Sequence, residues 1–175
     1  MIRELQFKFL TQRYADEIYR YAKGLLGDAT EAEDAVQEVL IRFWQHLPEV
    51  QITKSRAWLY RTTRNHCIDL LRQRQAIHRP LYLDNDQLPD VPEEDPIDPS
   101  RQADLETIKK TVESAIQALP ETLRSVFVLY EINGLRYREI ATTLDVPINS
   151  VKVYLSRARL NLRQQLKEHE SWINA

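Results

Sequence analysis

Apolar residues recur every three or four positions along most of this chain, and the rhythm breaks only once, between about Ala76 and Ala103. A period near 3.6 puts one stripe of side chains on one side of a helix, so both halves are constrained to fold as helices around a core. The chain has three glycines among 175 residues, too few for the hairpin turns and phosphate cradles that depend on positive φ. Leu, Ala, Glu, Gln and Arg dominate, and these lose little freedom in a helix. The expected fold class is all-α, with two small helical domains at 1–75 and 105–175 joined by a flexible acidic linker at 76–104.

In the first half, Phe9, Ile18, Tyr21 and Leu25 lie at helical spacings. Gly27 stands where a helix C-cap belongs, and Asp28 or Thr30 is placed to cap the next helix. That next run carries Ala35, Val36, Val39, Leu40, Phe43, Trp44 and Leu47 on one side, with Glu31, Asp34, Gln37, Glu38 and Arg42 on the other. Pro48 stops it. A third run turns Ala57, Leu59 or Tyr60, Ile68, Leu70 and Leu71 inward and leaves Arg56, Arg61, Arg64, Asn65, Arg72 and Arg74 outside. Trp58 is read as core rather than as a stacking platform.

The net charge of -2 hides a strong asymmetry. From Glu49 to Arg79 seven basic residues face two acids, and from Arg136 to Lys167 seven again face two; Pro80 to Ser100 carries seven acids and no base. Two basic segments cancel an acidic one in the sum but not in space, and basic faces on helices point to nucleic acid. The acidic stretch is proline-rich and too poor in apolar surface to offset its ordering entropy.

The second half ends in a helix-turn-helix pattern, YREIATTLDVPINSVKVYLSRAR. Ile140, Ala141 and Leu144 face inward from a short helix, and Asp145, Val146 and Pro147 make the turn. Asp145 stands where glycine is usual and tolerates the left-handed conformation better than most residues. Val151 and Leu155 are buried by the second helix, for which Asn149 or Ser150 is a candidate cap. Pro120 is expected in the first turn of an earlier helix and Gly134 at a C-cap. Lys152, Val153, Tyr154, Ser156 and Arg157 then point outward, where a helix in a major groove reads base edges. Arg136, Arg138, Arg159 and Arg163 are placed to hold phosphates. A repressor, an activator and a polymerase subunit all satisfy this pattern. The alternative to a polymerase subunit is a two-domain helix-turn-helix regulator acting alone on a palindromic site.

Other classes fit poorly. Cys67 is the single cysteine, so no internal disulfide forms, and it reads as a small buried hydrophobe. No segment approaches the roughly 18 apolar residues of a membrane span, and the start lacks a signal-peptide core. A cytoplasmic protein is expected, without membrane insertion of its own. The acids Asp84 to Asp98 lack the glycine and regular spacing of a calcium loop. His66, Cys67 and His78 lack a fourth zinc ligand. No metal, no cofactor and no catalytic residues are expected, and the chain is not read as an enzyme.

Together the segments resemble the extracytoplasmic-function (ECF) sigma factors, the minimal branch of the sigma-70 family. GLLGDATEAEDAVQEVLIRFWQHL is similar to the family's core-binding helix, SRAWLYRTTRNHCIDLLRQRQ to its −10 helix, and the segment from Ala118 to Leu166 to its −35 module. The resemblance implies a sigma2-like bundle and a sigma4-like helix-turn-helix domain, and a transcription initiation factor that recognises both promoter elements and promotes melting. It implies that Asp34, Gln37 and Glu38 contact the clamp helices of the largest subunit of core RNA polymerase. Asn65, with the loop Glu49 to Ser55, would capture an unpaired −10 base while Arg56, Arg61, Arg64 and Arg72 steer the strand. Lys152, Val153, Tyr154, Ser156 and Arg157 would read the −35 element, with Arg136, Arg138 and Arg159 on its backbone. PINSVKVY departs from the usual pattern, Pro, Glu, Gly, Thr, Val, Lys, Ser, Arg, so Val153 and Tyr154 do not reproduce its Arg contact. The implied partners are core polymerase, promoter DNA and an anti-sigma factor. Away from polymerase the two modules are expected to fold together and mask their DNA faces.

Overall fold

A computed structural model describes residues 1–77 and 101–173, with side chains over 1–76 and 106–167. The described secondary structure is helical throughout. Helix α1 (Ile2–Leu26) ends at Gly27, whose φ of 77° is the left-handed cap and whose N–H reaches Lys23 O at 2.8 Å. Asp28 then caps α2 (Ala29–His46), its carboxylate accepting from Glu31 N at 2.8 Å; such a cap is worth about 1 kcal/mol. A 3₁₀ turn (Ile52–Lys54) leads into α3 (Ser55–Ile77). The three helices bury Ile18, Tyr21, Leu25, Val39, Phe43, Leu59 and Tyr60, side chains that each contribute roughly 1.5–3 kcal/mol when removed from water.

Three first-half readings shift. Phe9 is exposed and Leu10 takes the core position beside it. Leu59 and Tyr60 are both buried rather than one or the other. Trp58 is half-buried against Phe43, with ring centroids 5.5 Å apart.

The second half opens with α4 (Arg101–Gln117) and α5 (Glu121–Phe127). α3 therefore runs past residue 75, and α4 begins within the stretch read as linker. Pro120 sits one position before the α5 helix, at its N-cap with ψ 144°, because its extended ψ starts the helix at Glu121. α5 passes into a π turn (Val128–Ile132), with Asn133 N bonded to Val128 O at 3.0 Å. Nothing in the apolar spacing announces this wider turn. It places Val128 and Leu129 together in the core while Glu131 stays exposed. Then come α6 (Tyr137–Leu144) and α7 (Ile148–Ile173).

α6 and α7 form the helix-turn-helix. Asp145 holds the turn with φ 56° and ψ 50°, and Val146 N returns to Ala141 O at 3.1 Å. Ile140, Thr143, Val151 and Leu155 are buried between the helices, with Ala141 and Leu144 half-buried. α7 starts at Ile148, so Asn149 and Ser150 lie in its first turn rather than capping it; Ser150 N bonds Pro147 O at 2.9 Å.

α1 is shared by both halves. One side packs on α2 and α3, the other on α4, α5 and the π turn. At Gly24 a Cβ would lie 2.5 Å from Val128 Cγ1, so only glycine lets the π turn approach this closely. Buried residues of both halves form one continuous cluster, from Leu10 to Leu162. Among the described residues no helix is long and apolar enough to cross a membrane.

Candidate nucleic-acid interface

Along α2 the helix period sets Asp34, Gln37 and Glu38 on one ridge. Asp34 and Gln37 are exposed. Glu38 is half-exposed and accepts from Arg42 Nε at 2.7 Å, one turn on. Among the described residues nothing from the second half covers Asp34 or Gln37.

The basic face of α3 is occupied. Arg56 donates through Nε to Glu17 at 2.8 Å and through Nη1 to Glu139 at 2.7 Å. Burial works against the Arg56 charge, but the hydrogen bond and attraction from Glu17 outweigh it and raise its pKa. Arg61 donates to the carbonyls of Thr142 at 2.9 Å and Thr143 at 3.2 Å. These are end carbonyls of α6, which lack intrahelical donors and carry the negative end of the helix dipole. Arg72 reaches Glu121 at 3.4 Å, and Arg74 pairs with Glu31. Arg64 is half-buried. Asn65 is exposed, one turn past Arg61. Of the four arginines read as strand-steering, Arg56, Arg61 and Arg72 all bond residues of the second half.

The face of α7 is open. Lys152, Val153, Ser156 and Arg157 are exposed, as are Arg136 and Arg138 beside it. Tyr154 departs from its outward reading: it is half-buried and packs on the core, since three residues after Val151 it shares that residue's side of the helix. Arg159 is exposed but held, donating through Nε and Nη2 to Glu131 at 2.9 and 2.6 Å and lying over the Tyr130 ring at 5.4 Å. Tyr130 in turn stacks on Tyr137, centroids 5.1 Å apart.

Several residues that organise the molecule carried no signal in the spacing. Arg124 is nearly buried and donates to Leu25 O at 2.8 Å, Leu119 O at 3.0 Å, Gln117 Oε1 at 3.1 Å and Gln117 O. Burial lowers its pKa. The hydroxyls of Tyr21 and Ser125, both fully buried, share a hydrogen bond. Asn133 Nδ2 donates to Glu17 O at 2.7 Å and Tyr60 Oη at 3.1 Å. The one available clue was an arginine, Arg124, among apolar positions of a short helix.

Among the described residues no group of three His, Cys, Asp or Glu is arranged to hold a metal. The acids Asp84 to Asp98 and His78 lie outside the described residues. His66 and Cys67 diverge: the histidine is half-exposed and the thiol buried.

A helical bundle with an open polar ridge, followed by a helix-turn-helix with an open basic face, defines a two-module DNA-binding protein. Sigma-70 region 2 matches residues 10–77, and sigma-70 region 4 matches 109–162. The ECF RNA polymerase sigma factor SigE of Mycolicibacterium smegmatis is 35% identical over 163 residues, covering 93% of this chain and 62% of that protein. The chain thus spans under two thirds of that relative's length. SigW of Bacillus subtilis, also an ECF RNA polymerase sigma factor, is 30% identical over 171 residues, 93% of this chain and 89% of SigW. The solved structure of CnrH with the cytosolic domain of CnrY superposes with a TM-score of 0.67 at 26% identity, over 93% of this chain and 88% of CnrH. RpoE of Bartonella quintana, solved with the anti-sigma factor NepR, shares the fold at a TM-score of 0.65 and 22% identity, over 91% and 98%. The chain belongs to the sigma-70 family, in its extracytoplasmic-function branch.

Proposed function

We propose that this chain directs core RNA polymerase to two-part promoters. Residues 1–75 form the polymerase-binding and −10 module, 76–104 the tether and 105–175 the −35 module. Asp34, Gln37 and Glu38 dock on the clamp helices of the largest subunit. Asn65 and the loop from Glu49 to Ser55 take up an unpaired −10 base, with Arg56, Arg61, Arg64 and Arg72 along the strand. A base leaving its stack needs hydrogen bonds to its edge to offset the lost stacking. α7 enters the −35 major groove with Lys152, Val153, Ser156 and Arg157 toward base edges and Tyr154 at their margin, while Arg136, Arg138 and Arg159 hold phosphates. RNA synthesis belongs to the polymerase, and this chain contributes binding, not catalysis.

The observation that carries this reading is the open basic face of α7 behind a turn closed by left-handed Asp145. The CnrH and RpoE structures were solved with CnrY and the anti-sigma factor NepR; by that likeness an anti-sigma protein holds this chain in reserve in the cytoplasm. Run-off transcription with core polymerase and promoters randomised at both elements tests the reading. Two-part promoters should be enriched, and Asn65→Ala or Arg157→Ala should reduce their use about five- to thirtyfold, the cost of roughly 1–2 kcal/mol per lost base contact. A palindromic site bound without polymerase would overturn it.

A further inference from the structure

Over its first three turns α7 gives one side to the core and the other to solvent. Val151, Leu155 and Ala158 are buried, so at about 100° per residue the opposite side is centred on Val153. Val153 is 46% exposed. Asn149 and Arg157, four residues before and after it, and Ser156, three after, are exposed beside it. A valine therefore stands at the middle of a face that is otherwise polar. Val153 and Tyr154 both depart from the usual pattern of such a helix, and the fold separates them: Tyr154 packs on the core, and only Val153 keeps the outward place.

Isolated apolar side chains are common on protein surfaces and carry no meaning by themselves. The place of this one gives it a consequence. Val153 is the sixth residue of α7, in the N-terminal part of a reading helix, which approaches the base edges. Once the helix is seated, the edge that faces Val153 loses its water. Every group that a base pair offers in the major groove is a hydrogen-bond donor or acceptor except one, the C5-methyl of thymine. A polar edge against valine is desolvated without a replacement bond, whereas a methyl group gains by leaving water. Valine is branched at Cβ and holds essentially one rotamer in a helix, so it does not swing aside as Lys152 can. Leu160 is also exposed on this side of α7, but it lies about 10.5 Å further along the axis, beyond the residues that reach base edges.

We propose that Val153 is a specificity residue for the −35 element: it selects thymine at one base pair through the C5-methyl group, and rejects pairs that turn a polar edge to it. Attraction to the methyl and the penalty on polar edges act in the same direction, so the discrimination draws on both. Lys152, Ser156 and Arg157 beside it bond neighbouring pairs and phosphates, and these contacts fix the register in which Val153 meets its pair. The proposal rests on the assignment of α7 to the −35 element.

Uracil differs from thymine only in lacking the C5-methyl, which makes it the probe. The full-length chain with core polymerase transcribes two promoter pools randomised over the −35 segment. One pool contains thymidine in that segment and the other deoxyuridine, on both strands. The unsubstituted chain should enrich thymine at one −35 position, and the enrichment should fall about fourfold in the deoxyuridine pool, the contribution of one methyl group removed from water. Val153→Thr keeps the branched shape and replaces one methyl by a hydroxyl; it should take thymine and uracil alike at that position. Equal enrichment of thymine and uracil by the unsubstituted chain overturns the proposal. A thymine preference that Val153→Thr retains in full does so too, since another residue would then read the methyl. Failure of the −35 assignment looks different: neither pool would show any preference in that segment, and promoter use would follow the −10 element alone.

Discussion

The thiol of Cys67 sits on the core side of α3, fully buried, and burial pushes its pKa up to about 12 from an ordinary 9.0. At neutral pH it is therefore a neutral thiol out of reach of solvent, neither nucleophile nor metal ligand. The sign of the linkage follows. The unfolded chain releases this proton near pH 9 while the folded chain retains it, so stability is fully present below pH 9 and falls as pH rises toward 12, by at most about 1.4 kcal/mol per pH unit. The phenols of Tyr21 and Tyr60 are raised mainly by burial as well, and add to the loss at the upper end of that window. Urea melts at pH 8 and pH 10 should show the decline, and Cys67→Ala should flatten it between pH 9 and 10. An equal decline in both chains would remove Cys67 as its source. Alkylation by iodoacetamide at pH 8 should be slower in the folded chain than in the urea-unfolded one by about a hundredfold or more, the thiolate fraction alone providing that factor.

At the scale of elements, α7 and the π turn decide how the −35 face is presented. Of the arginines assigned to phosphates, Arg138 projects from α6 free of any ion pair among the described residues, whereas Arg159 is already neutralised by Glu131 and lies on Tyr130. Each phosphate contact contributes about 0.9 to the slope of log affinity against log salt. Arg138→Ala should lower the slope on a −35 duplex by about that amount; Arg159→Ala should lower it by less, because its charge is shared with Glu131. Anisotropy titrations across salt concentrations provide the slopes, and equal reductions would mean that Arg159 leaves Glu131 when DNA binds. What was legible in the sequence follows the same division. Helix faces set by local period were readable: Val39, Phe43, Val151 and Leu155 are core as their spacing predicts, and Asp145 adopts its left-handed turn. Features set by a distant partner were not. Leu10 replaces Phe9 in the core because of what packs on α1, and the π turn brings Val128 against Gly24. The arginines of α3 were identified as basic correctly, yet their acceptors lie on α1, α2, α5 and α6, which no local pattern brings together.

For the whole molecule, the question is whether the two halves behave as two folding units. Their buried residues form one cluster, and Arg124 bonds both sides of the seam: Leu25 O in the first module, and Gln117 and Leu119 carbonyls in its own. A buried cation contributes little by itself, since desolvation offsets much of the attraction, but removing it strands its acceptors. Arg124→Met keeps the length of the side chain and deletes every one of those bonds. It should cost about 3 kcal/mol, at roughly 1 kcal/mol or more for each stranded acceptor. For a chain of this size the melting point should fall by about 5–10 °C. Calorimetry of the unsubstituted chain should show a single endotherm, because neither module exposes its half of the seam without losing core burial. Arg124→Met should both lower and broaden it, as the first module begins to outlast the second. Two separate endotherms in the unsubstituted chain, with only the second moved by Arg124→Met, would mean that the seam docks two independent domains.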